Sequence, residues 1–209
     1  GFGSLENVAK AKGEIYSALS PSGCAIINAD DYFAEYWRGL LGQQKILTFS
    51  RNHSAEVYAT DVRVNNGLSF CLHINQESVD IYLDMLGEHN VDNALAAAAA
   101  ATAVGISIND IKQGLQSASQ VQGRMCGAKG FSGALVIDDA YNANPSSMRA
   151  AINALRSVED YKRRILVLGD MLELGPTTDD KHREVAQYAK QQGKNEYFSH
   201  NVWPSHAIA

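Results

Sequence analysis

Val136-Ile-Asp-Asp-Ala-Tyr-Asn-Ala-Asn-Pro-Ser-Ser147 reads as the end of a buried strand, a polar junction and the start of a helix. The apolar run stops at two carboxylates, Asp138 and Asp139. A proline with serines behind it then opens the helix. Outward from this stretch, strands and helices alternate at 134–137, 146–158, 164–168, 180–192 and 197–199. That alternation predicts a doubly wound parallel sheet, whose ligands sit beyond the carboxyl ends of its strands. Gly169-Asp-Met-Leu-Glu-Leu-Gly175 ends the next strand in the same way, on the same rim.

Upstream, Gly87-Glu-His-Asn-Val-Asp-Asn-Ala-Leu-Ala-Ala97 is a second polar junction into a helix. The chain before it begins with an amphipathic helix over 4–19, capped by Ser4, with Leu5, Val8, Ile15 and Leu19 as its apolar stripe. A strand over 24–27 ends in Asn28-Ala-Asp-Asp31, and a helix over 32–41 and a strand over 46–49 follow. The texture then alternates over 56–64, turns at Asn65-Asn-Gly67 and returns over 68–74, with a third strand over 79–83. This is an antiparallel β insert in an α/β domain. Helices follow over 90–104 and 109–118, the first carrying an alanine run that suits close helix packing. Residues 123–133 hold four glycines and read as a linker. The boundary falls near Gly127, dividing the chain into domains 1–127 and 128–209.

With 209 residues, 45% hydrophobic and 20% charged, the chain is ordinary globular protein for one large or two small domains. A net charge of −5 speaks against a nucleic-acid surface. Three dispersed cysteines, Cys24, Cys71 and Cys126, suggest neither a disulfide framework nor a paired-cysteine metal site, and point to a reducing, cytoplasmic setting. The longest apolar run, 94–101, is too short and too alanine-rich to span a bilayer, and no secretory signal is visible. The chain starts at Gly1 and ends on 203–209 with no terminating character, so both ends read as cut.

Several residues stand where chemistry can happen. Lys12 falls on the apolar stripe of the first helix, where an ammonium either needs a partner or snorkels from the stripe edge. Asn90 and Asn93 share one face at a helix start; Asn90 either caps the helix or offers its amide to a purine edge. His89 suits a structural role better than a ligand role. Arg124 is either a solvated loop residue or a phosphate contact. Asp139 either starts a turn, caps the following helix, or holds a ribose hydroxyl pair. There is no GxxxxGK[ST] loop, GxGxxG, HExxH or GxSxG.

In order along the chain, Gly1-Phe-Gly-Ser-Leu-Glu-Asn-Val-Ala-Lys-Ala-Lys-Gly-Glu-Ile15, Asn28-Ala-Asp-Asp31, Gly87-Glu-His-Asn-Val-Asp-Asn93, Gly123-Arg-Met125, Asp138-Asp-Ala-Tyr-Asn-Ala-Asn-Pro145 and the 169–175 loop closely resemble the Mur ligase family. The resemblance is to its D-alanyl-D-alanine-adding branch. It implies a P-loop-type central ATPase domain, here without its P-loop start, followed by a partial Rossmann-like C-terminal domain. It also implies a cytoplasmic, monomeric enzyme of peptidoglycan precursor synthesis, using ATP and Mg2+ to join D-Ala-D-Ala to UDP-N-acetylmuramoyl-tripeptide through an acyl phosphate. By resemblance Lys12 is the lysine that becomes carbamylated and ligates magnesium. Asn90 lies at the adenine, and Arg124 and Asp139 reach the phosphate and ribose of ATP. Lacking the P-loop, the chain by itself is expected to be inactive. Two other readings stand beside this one: a folylpolyglutamate synthase-type ligase, against which Tyr141-Asn142 argues, and a nucleotide-binding module without chemistry.

Overall fold

The computed structural model describes residues 2–52, 55–65, 67–158 and 161–192, and the backbone of 196–199. It begins with α1 (Leu5–Ser17), started by Ser4, whose hydroxyl accepts from Asn7 N–H. The expected apolar stripe is not the buried face. Leu5 and Ile15 are 72% and 70% exposed, whereas Ala9 and Gly13 are buried. The reason is steric. Helix α2 (Ala34–Arg38) brings Trp37 and the following Leu40 against α1 so closely that a Cβ on Gly13 would lie 2.7 Å from Leu40 Cδ1. Trp37 Nε1–H also donates to the Ala9 carbonyl at 2.9 Å. Small residues permit that approach, so the face of α1 with the smallest side chains packs and the larger apolar side chains stay outside.

Five strands form one sheet in chain order: β1 (Cys24–Asn28), β2 (Lys45–Ser50), β3 (Val57–Val64), β4 (Leu68–Ile74) and β5 (Glu77–Leu83). The β1–β2 and β2–β3 pairs are parallel, while β3–β4 and β4–β5 are antiparallel. The antiparallel insert is therefore an extension of the α/β sheet itself. Helix α3 (His89–Ala103) lies across it and buries Val91, Leu95, Ala98 and Ala99 against Val57, Leu68 and Leu72, all at 0% exposure. Burying each large aliphatic side chain contributes about 1.5–3 kcal/mol. The alanine run is the packing face it suggested. Helix α4 (Ile108–Ser117) adds Ile111 to the same core, its start capped by Ser107.

The glycine-rich stretch is not a plain linker. Within it, β6 (Cys126–Lys129) pairs antiparallel with β7 (Leu135–Asp138), with Cys126 opposite Asp138. Glycine and alanine supply weak strand signal, and only pairing with β7 reveals the strand. Helix α5 (Pro145–Ser157), strand β8 (Ile165–Leu168), helix α6 (Thr178–Gln191) and strand β9 (Glu196–Ser199) follow in the expected alternation. Among the described residues β8 and β9 pair in parallel, but β7 takes its ladder from β6 rather than from β8. Ile152, Met171, Val185 and Ala189 form a second core between α5, α6 and the end of β8. Tail residues 203–209 lie outside the described residues.

Candidate nucleotide site

The β6–β7 hairpin continues past its ladder. Met125 N–H donates to Asp139 Oδ1 at 3.1 Å, and Tyr141 N–H donates to the Gly123 carbonyl at 3.0 Å. Arg124 stands between them, exposed, flanked by the buried Gly123 and Met125. Both flanking residues are left-handed, with φ of +74° at Gly123 and +54° at Met125. For Met125 that backbone is unfavourable by about 1–2 kcal/mol, and burial of its side chain together with the bond to Asp139 offsets it. The Arg124 guanidinium lies over the Tyr141 ring, 4.4 Å from its centroid. The structure thus gathers Arg124 and Asp139, two residues separated by a hairpin.

Asp139 does not cap the next helix. That role falls to Asn144, whose side chain accepts from Ser147 N–H in a reciprocal capping box. Asp138 starts the turn by accepting from Ala140 N–H. Burial pushes the Asp139 carboxyl above the usual carboxylate range and the neighbouring Asp138 adds to this; the Met125 N–H and the charges of His89 and Arg124 pull the other way. His89 opens α3, so the start of that helix and the hairpin lie within electrostatic reach of each other.

Nor does Asn90 cap α3. The helix begins at His89, with Glu88 before it and no side-chain cap. The Asn90 amide folds back, donating to the Leu86 carbonyl at 2.7 Å and accepting from Asn93 Nδ2 at 3.0 Å. One amide hydrogen and one lone pair remain for a ligand. Gly87, at φ +86°, makes the turn before the helix; a Cβ there would meet the His89 ring at 2.5 Å.

Sequence reasoning missed Arg51. Asp30, at the end of β1, accepts from Ser50 Oγ, Arg51 N–H and Asn52 Nδ2 at 2.7–2.8 Å. Burial pushes Asp30 up, but these bonds and the Arg51 charge outweigh it and hold the carboxyl below its ordinary value. Arg51 then reaches Asp92 (2.8 Å) in the first turn of α3 and Glu88 (3.3 Å) just before it. It ties the strand-end loop to the helix that carries Asn90. The one available signal was its place just past a strand's carboxyl end.

The 169–175 loop sits at the end of β8, held by His182, which is 3% exposed. His182 Nε2 accepts from Met171 N–H at 2.9 Å, and its Nδ1 faces the Thr178 carbonyl at 2.8 Å, which fixes the Nδ1–H tautomer.

Lys12 is exposed, to one side of the buried Ala9 and Gly13 on α1. The buried-stripe argument for it therefore fails. An amine is a donor, and no group of three or more His, Cys, Asp or Glu side chains among the described residues could hold a metal ion. These residues do not by themselves fit a magnesium site. A nucleoside with one phosphate suits the others better: a guanidinium, a strand-end carboxylate and a purine-capable amide.

Two family models match the chain: the Mur ligase middle domain over residues 1–101, and the Mur ligase glutamate ligase domain over residues 123–200. The chain is 42% identical to the UDP-N-acetylmuramoyl-tripeptide–D-alanyl-D-alanine ligase of Escherichia coli, over 100% of its own length and 46% of that protein. It is 36% identical to the protein of the same name from Bacillus subtilis, over 88% of the chain and 39% of that protein. A crystal structure of MurF from Acinetobacter baumannii superposes with a TM-score of 0.84 at 32% identity, covering 95% of this chain and 47% of the other. MurF from Thermotoga maritima, solved with ADP, shares the fold at a TM-score of 0.80 and 20% identity, covering 94% of this chain and 45% of the other. The chain thus spans less than half the length of these relatives. With both domain models matched in chain order and the fold shared throughout, the chain belongs to the Mur ligase family.

Proposed function

We propose that the chain is the part of a D-alanyl-D-alanine-adding Mur ligase that holds the nucleoside end of ATP. The observation that carries this is the gathering of Arg124 and Asp139 by the hairpin, within a chain 42% identical along its whole length to a ligase of that name. Arg124 meets a phosphate, Asp139 the ribose hydroxyls, and Asn90 the adenine through its spare donor and acceptor. When ATP is bound, the carboxylate of UDP-N-acetylmuramoyl-tripeptide attacks the γ-phosphorus and ADP leaves, giving an acyl phosphate; the amine of D-Ala-D-Ala then attacks the acyl carbon, loses a proton and displaces phosphate. Electrostatic holding of the phosphates is most of phosphoryl-transfer catalysis. Residues 1–209 contain no GxxxxGK[ST] loop for that purpose, so this stretch alone turns over no ATP. Lys12 is the carbamylation candidate: its neutral amine adds to CO2 and releases a proton to solvent, giving an oxygen-bearing carbamate that would be able to meet magnesium. A cytoplasmic monomer fits this reading, and no described helix is long and apolar enough to cross a membrane.

The test is a chimera in which residues 1–209 replace the matching segment of the Escherichia coli ligase. Phosphate release that depends on both the UDP-tripeptide and D-Ala-D-Ala is the expected result. A folded chimera that binds ATP but ligates glutamate in place of the dipeptide would overturn the reading.

A further inference from the structure

Arg124 is exposed, yet the backbone on both sides of it is pinned. Gly123 and Met125 are left-handed, Met125 is 2% exposed, and its N–H is held by Asp139. A solvated arginine needs no such fixing. Strained backbone that aims a side chain is a mark of function. The remaining freedom lies in the long side chain itself, and Tyr141 meets it there. The Tyr141 ring is 68% exposed and lies beneath the guanidinium. Its position is set by the backbone, because Tyr141 N–H closes onto the Gly123 carbonyl and a Cβ on Gly123 would lie 3.2 Å from Tyr141 N. The residue before Arg124 therefore places the ring that carries Arg124.

We propose that Tyr141 is a positioning residue for the nucleotide: its ring holds one face of the Arg124 guanidinium by a cation–π contact, so that the in-plane N–H fork is presented to a phosphate. This rests on the nucleotide reading of Arg124. Stacking uses the π face of the guanidinium and leaves its five N–H donors in plane, so a phosphate can be met bidentately without breaking the stack. The ring, not the phenol hydroxyl, does this. Phenylalanine should therefore replace Tyr141 and leucine should not. Because the hairpin bond uses the Tyr141 backbone and the side chain is largely exposed, either substitution leaves the fold intact.

Two readouts on the 209-residue chain test this. In the free protein, the Arg124 side-chain NMR resonances should show a ring-current shift that persists in Tyr141→Phe and vanishes in Tyr141→Leu. In titrations with ADP, Tyr141→Leu should weaken binding about two- to fivefold, the span expected of an exposed cation–π contact. Tyr141→Phe should match wild type, and melting temperatures should be unchanged. With Arg124→Ala as background, Tyr141→Leu should cost nothing further. An unshifted Arg124 resonance in the wild type overturns the proposal. So does a Tyr141→Leu protein that binds ADP like wild type while Arg124→Ala binds it weakly. If Arg124→Ala also binds like wild type, the nucleotide reading of Arg124 falls, and the proposal with it.

Discussion

Ile152→Ala probes whether the chain is two cooperative units divided near residue 127. Ile152 is fully buried in α5, among Met148, Leu166, Met171, Val185, Ala186 and Ala189. The substitution deletes three carbons, which at about 0.8 kcal/mol each loses roughly 2.4 kcal/mol of transfer free energy. The cavity adds to this wherever the site fails to collapse, so about 2–5 kcal/mol is expected. None of the surrounding side chains belongs to the core under α3, where Leu95 packs. In a unit of some 60–100 residues each kcal/mol shifts the melting point by about 4–8 °C. Scanning calorimetry should therefore show one of two transitions falling by about 10 °C or more while the other stays in place. Leu95→Ala should move the other transition. If both variants lower a single transition together, the chain is one cooperative unit and the division near residue 127 is dropped. A shift below about 4 °C would show that Ile152 is not in a packed core.

Gly123→Ala puts a Cβ on a φ of +74°, 3.2 Å from the backbone of Tyr141. We expect a loss of about 1–2 kcal/mol in urea unfolding, with ADP affinity falling as the Tyr141 ring is displaced. Wild-type affinity would show that the hairpin geometry is irrelevant to the site. Asp139→Asn separates structure from recognition, because the amide oxygen still accepts from Met125 N–H. Burial raises the carboxyl's folded value, so its stabilising contribution is present below the ordinary carboxylate range and is lost as pH rises through the folded value. Relative to wild type, the melting temperature of Asp139→Asn should therefore climb from acid pH to neutrality while its ADP affinity falls. A flat difference against pH would contradict the account of a carboxyl raised by partial burial. Finally, 13C-bicarbonate should label the Lys12 side chain in NMR spectra and leave Lys12→Arg unlabelled. A spectrum without that label would leave Lys12 as an exposed surface amine.

The sequence by itself determined whatever depends on neighbouring residues. Strand ends, helix starts and turn chemistry are local, so Asp139 was placed at a strand's carboxyl end, Asn90 at a helix start, and the Asn65-Asn-Gly67 turn between two alternating strands. The alanine run announced its packing face because small side chains let α3 lie close to the sheet around Val91 and Leu95. The tertiary structure decided what depends on a distant partner. On α1, periodicity gave the stripe holding Leu5, Lys12 and Ile15, but Trp37 and Leu40 chose the face of Ala9 and Gly13, because close approach rewards small side chains more than apolar ones. β6 was illegible because glycine and alanine carry little strand preference of their own, and only the ladder with β7 makes it a strand. The same pairing brings Asp139 to Met125 and Tyr141 under Arg124. Contacts between residues some fifteen positions apart along the chain arise from a register that no single segment encodes.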